Sequence, residues 1–378
     1  MLSKCNAVEA NDKSKGQAQG FFSPADVVTE LHAEPSSNDF VYEPLSHESD
    51  YIRVFKIHPG PSDARICCTM REEQISEAKY ICLSYTWQPS HPEHTIEVDG
   101  RPLSVGENLY QFLHAYRAAQ MHKVPQLPDE QADALWVDAL SIDQKNIREK
   151  GHQIRQMGEI YKRATRVLIW LGVLADATKE ALLAEHRIKS CFDAVRISNL
   201  SDHVLNLCAM TYWSRIWIAQ EVILPSKDCL FLFDGDNCYD ISLFYCYFDK
   251  LTRRFGVSTK SFGMSYFNWR RQERSIARMI GEKPSLSSLL FYLAGCGCQD
   301  VRDRIFALLP LAKSNILYLE YDLDANHLFR AVFEQAIGNE PMDDIMSLGA
   351  LLIEALQIRG PYSGSNQDSS SNSSNTSD

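Results

Sequence analysis

The chain has 378 residues and a formal net charge of −11, from 38 Lys and Arg against 49 Asp and Glu. With 45% hydrophobic and 23% charged residues it reads as a globular protein with a substantial core and room for about two domains. The acidic balance argues against a nucleic-acid groove as the main activity, because phosphate backbones are held by clustered Lys and Arg. A small anion in a local basic pocket stays open.

Eleven cysteines are scattered, and the close pairs are Cys67-Cys68 and Cys296-Gly-Cys298. No Cys/His spacing points to a metal, and the odd count fits reduced thiols in a reducing compartment. The first ten residues lack the apolar block of a signal peptide, and no stretch reaches the ~18 apolar residues that span a bilayer. The expectation is a cytoplasmic protein with no membrane span.

In chain order, residues 1–38 are polar and irregular and read as a disordered tail, with at most a short helix near Pro24 to Leu31. Tyr51-Ile-Arg-Val-Phe-Lys-Ile57 alternates apolar and polar residues, the pattern of a strand with one wet face. Ile66 to Met70 returns as a second strand. Tyr80-Ile-Cys-Leu-Ser-Tyr-Thr-Trp87 is apolar at its start and polar at its end, so Ser84, Thr86 and Trp87 are expected at or beyond a carboxyl edge. In open α/β sheets that edge is where ligands bind. Thr95 to Val98 and Arg101 to Val105 flank Asp99-Gly100, a hairpin signal, and Leu109, Phe112, Leu113 and Tyr116 mark a helix.

Leu135 to Leu140 is the short apolar run of a strand covered on both faces, interrupted by Asp138. That carboxylate must be hydrogen-bonded within the strand or sit at its end facing a cleft. Ile154, Met157, Ile160, Tyr161 and Ala164 then share one helix face, and Val167 to Leu171 is a second buried strand closed by Gly172. This strand–helix–strand unit predicts an α/β core with parallel strands. A helical insertion follows at about 173–211. Trp217 and Glu221 are four apart and are expected on one helix face. Cys229 to Phe233 is a last strand, residues 236–358 read as a mainly helical C-terminal region, and the Ser/Asn-rich 359–378 as a disordered tail. The core is thus placed at 39–235.

Tyr80-Ile-Cys-Leu-Ser-Tyr-Thr-Trp87, Leu135-Trp-Val-Asp-Ala-Leu-Ser-Ile-Asp-Gln144, Glu149-Lys-Gly-His-Gln153, Trp213-Ser-Arg-Ile-Trp-Ile-Ala-Gln-Glu-Val222 and Asp300-Val-Arg-Asp-Arg-Ile-Phe-Ala-Leu-Leu309 together resemble the fungal heterokaryon-incompatibility (HET) domain family. The resemblance runs from about residue 40 to 335 in the family's order. Departures are Ser141-Ile-Asp-Gln144 where Cys-Ile-Asn-Gln is usual, Lys150 for Arg, and Gln88 where Gly usually follows the first block. The resemblance implies a role in non-self recognition and programmed cell death. It also implies similarity to the TIR domain: a TIR-like, flavodoxin-like, mainly parallel sheet with helices on both faces. Trp217-x-x-x-Glu221 is similar to the TIR Trp-Cys-x-x-Glu helix, with Ile218 in place of Cys.

That likeness makes Glu221 the candidate catalytic carboxylate for cleavage of the nicotinamide–ribose bond of NAD, a substrate rather than a cofactor. A carboxylate can stabilise an oxocarbenium-like transition state there. Ser84, Tyr85, Trp87, Asp138 and Trp217 are the candidate substrate-binding residues, the aromatic rings for stacking and the polar groups for ribose hydroxyls. Structural roles compete with each assignment. Glu221 can pair with Arg215, Asp138 can anchor the loop after it, and Trp87, Trp136, Trp170 and Trp217 can be core. Asp300, Arg302, Asp303 and Arg304 read as an ion-pair cluster. Phosphate-loop, dinucleotide-fold, zinc-protease and nucleophile-elbow motifs are absent. Two mechanisms remain open: NAD cleavage, or a non-enzymatic signalling module that self-associates or docks an incompatibility partner. A nucleotide-binding enzyme unrelated to cell death is a third.

Overall fold

A computed structural model describes residues 40–46, 50–87, 93–124, 127, 134–187, 203, 206–207, 210–241, 283–313, 319–337 and 342–358. Both expected tails, Gln88, and most of the helical material expected at 188–209 and 242–282 lie outside the described residues.

Nine strands form one sheet: β1 Tyr51–Ile57, β2 Cys67–Gln74, β3 Tyr80–Tyr85, β4 Glu93–Val98, β5 Arg101–Gly106, β6 Ala134–Trp136, β7 Arg166–Trp170, β8 Leu230–Phe233 and β9 Cys238–Asp240. Their order is β5-β4-β2-β1-β6-β3-β7-β8-β9. The centre, β6-β3-β7-β8, is parallel throughout. Outside it, β2 and β4 pair parallel, while β1–β2, β1–β6, β4–β5 and β8–β9 are antiparallel. The expectation of a mainly parallel sheet therefore holds only in part, for the central strands and the β2–β4 pair; short turns such as Asp99-Gly100 can join only antiparallel neighbours. Both turn residues have positive φ, 50° and 76°, as a two-residue hairpin loop requires.

Alternate residues of each central strand feed two cores on opposite faces. Cys82, Trp136, Val167, Ile169 and Leu232 face one, and Leu83, Tyr85, Leu135, Trp170 and Phe233 the other. Helix α1 (Glu107–Met121) covers the second face with Leu109, Phe112, Leu113 and Tyr116. Helix α3 (Ile147–Arg163) covers the first with Ile154, Met157, Ile160 and Tyr161, and starts at Asn146, whose side chain accepts the Glu149 N–H at 3.1 Å.

Between β6 and α3 lies the helical turn α2 (Asp138–Ser141). Asp138 is therefore not inside a strand but just past the end of one. After β7 come α4 (Asp176–Arg187) and α5 (Ile218–Ile223). The C-terminal region contributes α6 (Leu286–Tyr292), α7 (Asp303–Phe306), α8 (Ala325–Ile337) and α9 (Met342–Ala355), whose apolar residues join the core on the α3 face. The sheet runs on through β9, beyond the expected core limit at 235.

One expectation fails outright: β1 has no wet face. Arg53 is 5% exposed and makes a two-pronged ion pair with Glu149 on α3, at 2.5 and 2.9 Å. Its apolar–polar alternation conceals a buried charge with a buried partner. Among the described residues no helix is long and apolar enough to cross a membrane.

Candidate functional site

The chain steps from β3 to one neighbour, β6, and then to the other, β7, so the connecting helices α1 and α3 leave on opposite faces and open a crevice at the strands' carboxyl ends. A cavity of about 350 Å³ lies there, within the range of small-molecule sites. Thr86 and Trp87 enter it from the end of β3, Asp138, Ile142 and Gln144 from the segment after β6, and Lys150, Ile154 and Met157 from α3. Ser214, Arg215 and Trp217 come from the segment before α5, and Gly297–Gln299, Asp303 and Tyr321 close it from the C-terminal region.

Asp138 is half-buried, and both its oxygens face the Trp87 indole N–H, at 3.0 and 3.1 Å. Its Oδ1 also accepts the Ala139 N–H at 2.8 Å. Burial raises its pKa, with the Arg215 charge and these hydrogen bonds pulling the other way. Asp303 mirrors it: Trp217 Nε1 donates to Oδ2 at 3.1 Å and Tyr321 OH to Oδ1 at 2.7 Å. Burial raises this carboxyl as well. Each carboxylate is thus held by an indole, with its oxygens fixed at the cavity wall.

Glu221 sits a layer below. It is 2% exposed, does not line the cavity, accepts a hydrogen bond from Ser84 Oγ, and lies 3.9 Å from Arg215 Nη2. Ser84 is fully buried and also bonds Tyr212 OH at 2.5 Å. Burial pushes the Glu221 carboxyl up to about 7, against the pull of Arg215 and Ser84. Arg215 is the link between the layers. It lines the cavity, is 3.9 Å from Glu221, and donates from Nη1 to the Tyr85 carbonyl.

Of the residues singled out in the sequence, Trp87, Asp138 and Trp217 meet in the cavity; Ser84, Tyr85 and Glu221 do not line it. Tyr85 points into the opposite core and offers only its carbonyl. Trp217, the helical N-cap of α5, is one turn from Glu221, whose N–H donates to its carbonyl at 3.3 Å; the indole turns toward Asp303 and the carboxylate toward Ser84. Trp136 and Trp170 are core, 0% and 1% exposed. Asp303 leaves the expected ion-pair cluster; Asp300 and Arg302 keep theirs at 2.5 Å. Sequence reasoning missed Tyr321, Gln144 and the cavity roles of Lys150 and Asp303. Gln144, Lys150 and Asp303 lie in blocks that carry the resemblance, but only tertiary packing shows that they and Tyr321 meet at one cavity. Among the described residues no His/Cys/Asp/Glu group is placed to hold a metal ion.

Residues 80–221, which span every central strand but β8 and carry most of this wall, match the family described as heterokaryon incompatibility protein (HET). The chain is also similar to heterokaryon incompatibility protein 6, OR allele, of Neurospora crassa, 31% identical over 180 residues. That match covers 44% of this chain and 25% of the relative, so the chain aligns with about a quarter of the length of the curated relative it matches. No solved structure matches. The residues that build the cavity wall from β3 to Arg215 and Trp217 fall inside the segment that matches the heterokaryon-incompatibility family.

Proposed function

We propose that this chain serves heterokaryon incompatibility, the role its Neurospora crassa relative is named for, and that it acts in the cytoplasm through chemistry in the cavity. The observation that carries this reading is the meeting of Trp87, Asp138, Arg215 and Trp217, from three sequence-distant motifs, around one space. The parallel strands β6-β3-β7-β8, numbered among themselves, run 2-1-3-4, as a flavodoxin-like sheet begins. That order supports a TIR-like core and, with it, NAD as substrate.

In this reading the C1′–N bond to nicotinamide breaks, its electron pair leaves with nicotinamide, and water adds to C1′ with loss of a proton. Nicotinamide leaves as a neutral molecule, so one carboxylate suffices to stabilise the positive charge on the ribose. Asp138 takes the role of the contacting carboxylate in this reading, supported by its place on the cavity lining and its hydrogen bonds from Trp87 and Ala139. Trp87, 45% exposed, offers a ring for stacking. Glu221 then works as a positioning residue, setting Arg215 from below.

Nicotinamide release from NAD by the purified full chain tests this. Wild type is expected to turn over, and Asp138→Asn to lose about 100-fold or more. No release by wild type, dilute or concentrated, would remove the enzymatic reading. One feature favours the non-enzymatic alternative of self-association or partner docking: Phe291, Tyr292, Met342, Met346 and Ile353 are all exposed on α6, its end, and α9.

A further inference from the structure

Lys150 is the one cavity cation with neither a hydrogen-bond nor an ion-pair partner among the described residues. It lies on α3, half-buried, and lines the cavity. The carboxylates on and beside the cavity take hydrogen bonds from other groups. Asp138 accepts from Trp87 and Ala139, and Asp303 from Trp217 and Tyr321. Asp300 is gripped twice by Arg302, at 2.5 and 2.9 Å, and Glu149 is clamped by Arg53. Lys150 influences Asp300 and Asp303 through space, yet among the described residues it has neither a hydrogen-bond nor an ion-pair partner. Arg215, on the same cavity, has Glu221 below it at 3.9 Å and feels the Asp138 charge through space. A half-buried ammonium with no partner carries a desolvation cost that an arriving anion offsets.

We propose that Lys150 and Arg215 form an anion subsite, so that the ligand of this cavity is a phosphorylated one. This rests on the cavity being the ligand site; for NAD the group received is the pyrophosphate. The rest of the lining fits such a ligand, with Trp87 and Tyr321 as ring surfaces and the two aspartates as acceptors for hydroxyls.

The test is titration of the full chain with ADP-ribose, inorganic pyrophosphate and adenosine, read by tryptophan fluorescence, since Trp87 and Trp217 line the cavity. Lys150→Gln is expected to weaken ADP-ribose and pyrophosphate about tenfold, Lys150→Arg to restore most of it, and adenosine to be unaffected. Unchanged melting temperatures would certify the fold of both variants. Equal ADP-ribose affinity in Lys150→Gln, an equal loss for adenosine, or no binding of either phosphorylated probe to wild type would overturn the subsite. Lys150-dependent pyrophosphate binding without nicotinamide release would keep the subsite and remove the NAD reaction. NAD turnover with an unchanged KM in Lys150→Gln would do the reverse.

Discussion

Glu221 has Ser84 and Arg215 for company, and burial pushes its carboxyl up to about 7 from an ordinary 4.5. The folded chain therefore keeps a proton that the unfolded chain releases between those two values, and stability falls as pH rises across that interval. This contribution is complete below pH 4.5 and gone once pH has passed through 7. Chemical denaturation of wild type and Glu221→Gln from pH 4.5 to 8 should show a decline in wild type that is shallower in the variant by roughly 1–3 kcal/mol. Identical slopes would mean that the carboxylate is charged throughout. Arg53 and Glu149 are a different case, an ion pair with both members buried, 5% and 4% exposed. The pair also organises the loop below the cavity, because Arg53 donates to the Ser141 carbonyl at 3.3 Å and Glu149 accepts the Asp143 N–H at 2.8 Å. Arg53→Met leaves a carboxylate buried alone, so urea unfolding should show a loss of about 3–5 kcal/mol. A loss below about 1 kcal/mol would mean that water reaches the site.

Among the elements, α3 does most to position the cavity, and it does so through glycines as much as through its apolar stripe. A Cβ at Gly158 would lie 2.7 Å from Pro310 Cβ, and one at Gly151 3.1 Å from Tyr321 Cβ. The C-terminal region thus packs on the α3 backbone itself, which brings Tyr321 to the cavity. Gly158→Ala is expected to cost about 1–3 kcal/mol by denaturant unfolding despite the better helix propensity of alanine; a stabilised variant would contradict this packing. The apolar face of α3, the β4–β5 hairpin and the run of β3 were all legible in the sequence, because their signals are local: periodicity of 3.6, an Asp-Gly turn, a continuous apolar stretch. Three features were not. Arg53 hid in an alternating strand because its partner is 96 residues away. Trp217 and Glu221 are one helical turn apart, but only the tertiary structure shows that the indole reaches the cavity while the carboxylate stays buried beneath it. Asp303 looked like a member of a charge cluster because the Trp217 indole that claims it is 86 residues away.

At the scale of the molecule, the HET segment supplies one wall of the cavity and the C-terminal region the other. The two are stitched where the Gly297 N–H bonds the Ser214 carbonyl at 2.6 Å and the Ile216 N–H bonds the Gly297 carbonyl at 3.0 Å. A sequence match that ends at residue 221 could not reveal that the site continues past it. The same C-terminal helices also present exposed apolar side chains, so two surfaces compete as the working part of the protein: the cavity and the exposed helical face. Growth arrest in a fungal host expressing the full chain separates them most directly, comparing Asp138→Asn in the cavity with Met346→Ser, 66% exposed on α9. The account predicts that Asp138→Asn abolishes arrest at equal protein level while Met346→Ser leaves it intact. Arrest that survives Asp138→Asn and is lost with Met346→Ser would contradict it.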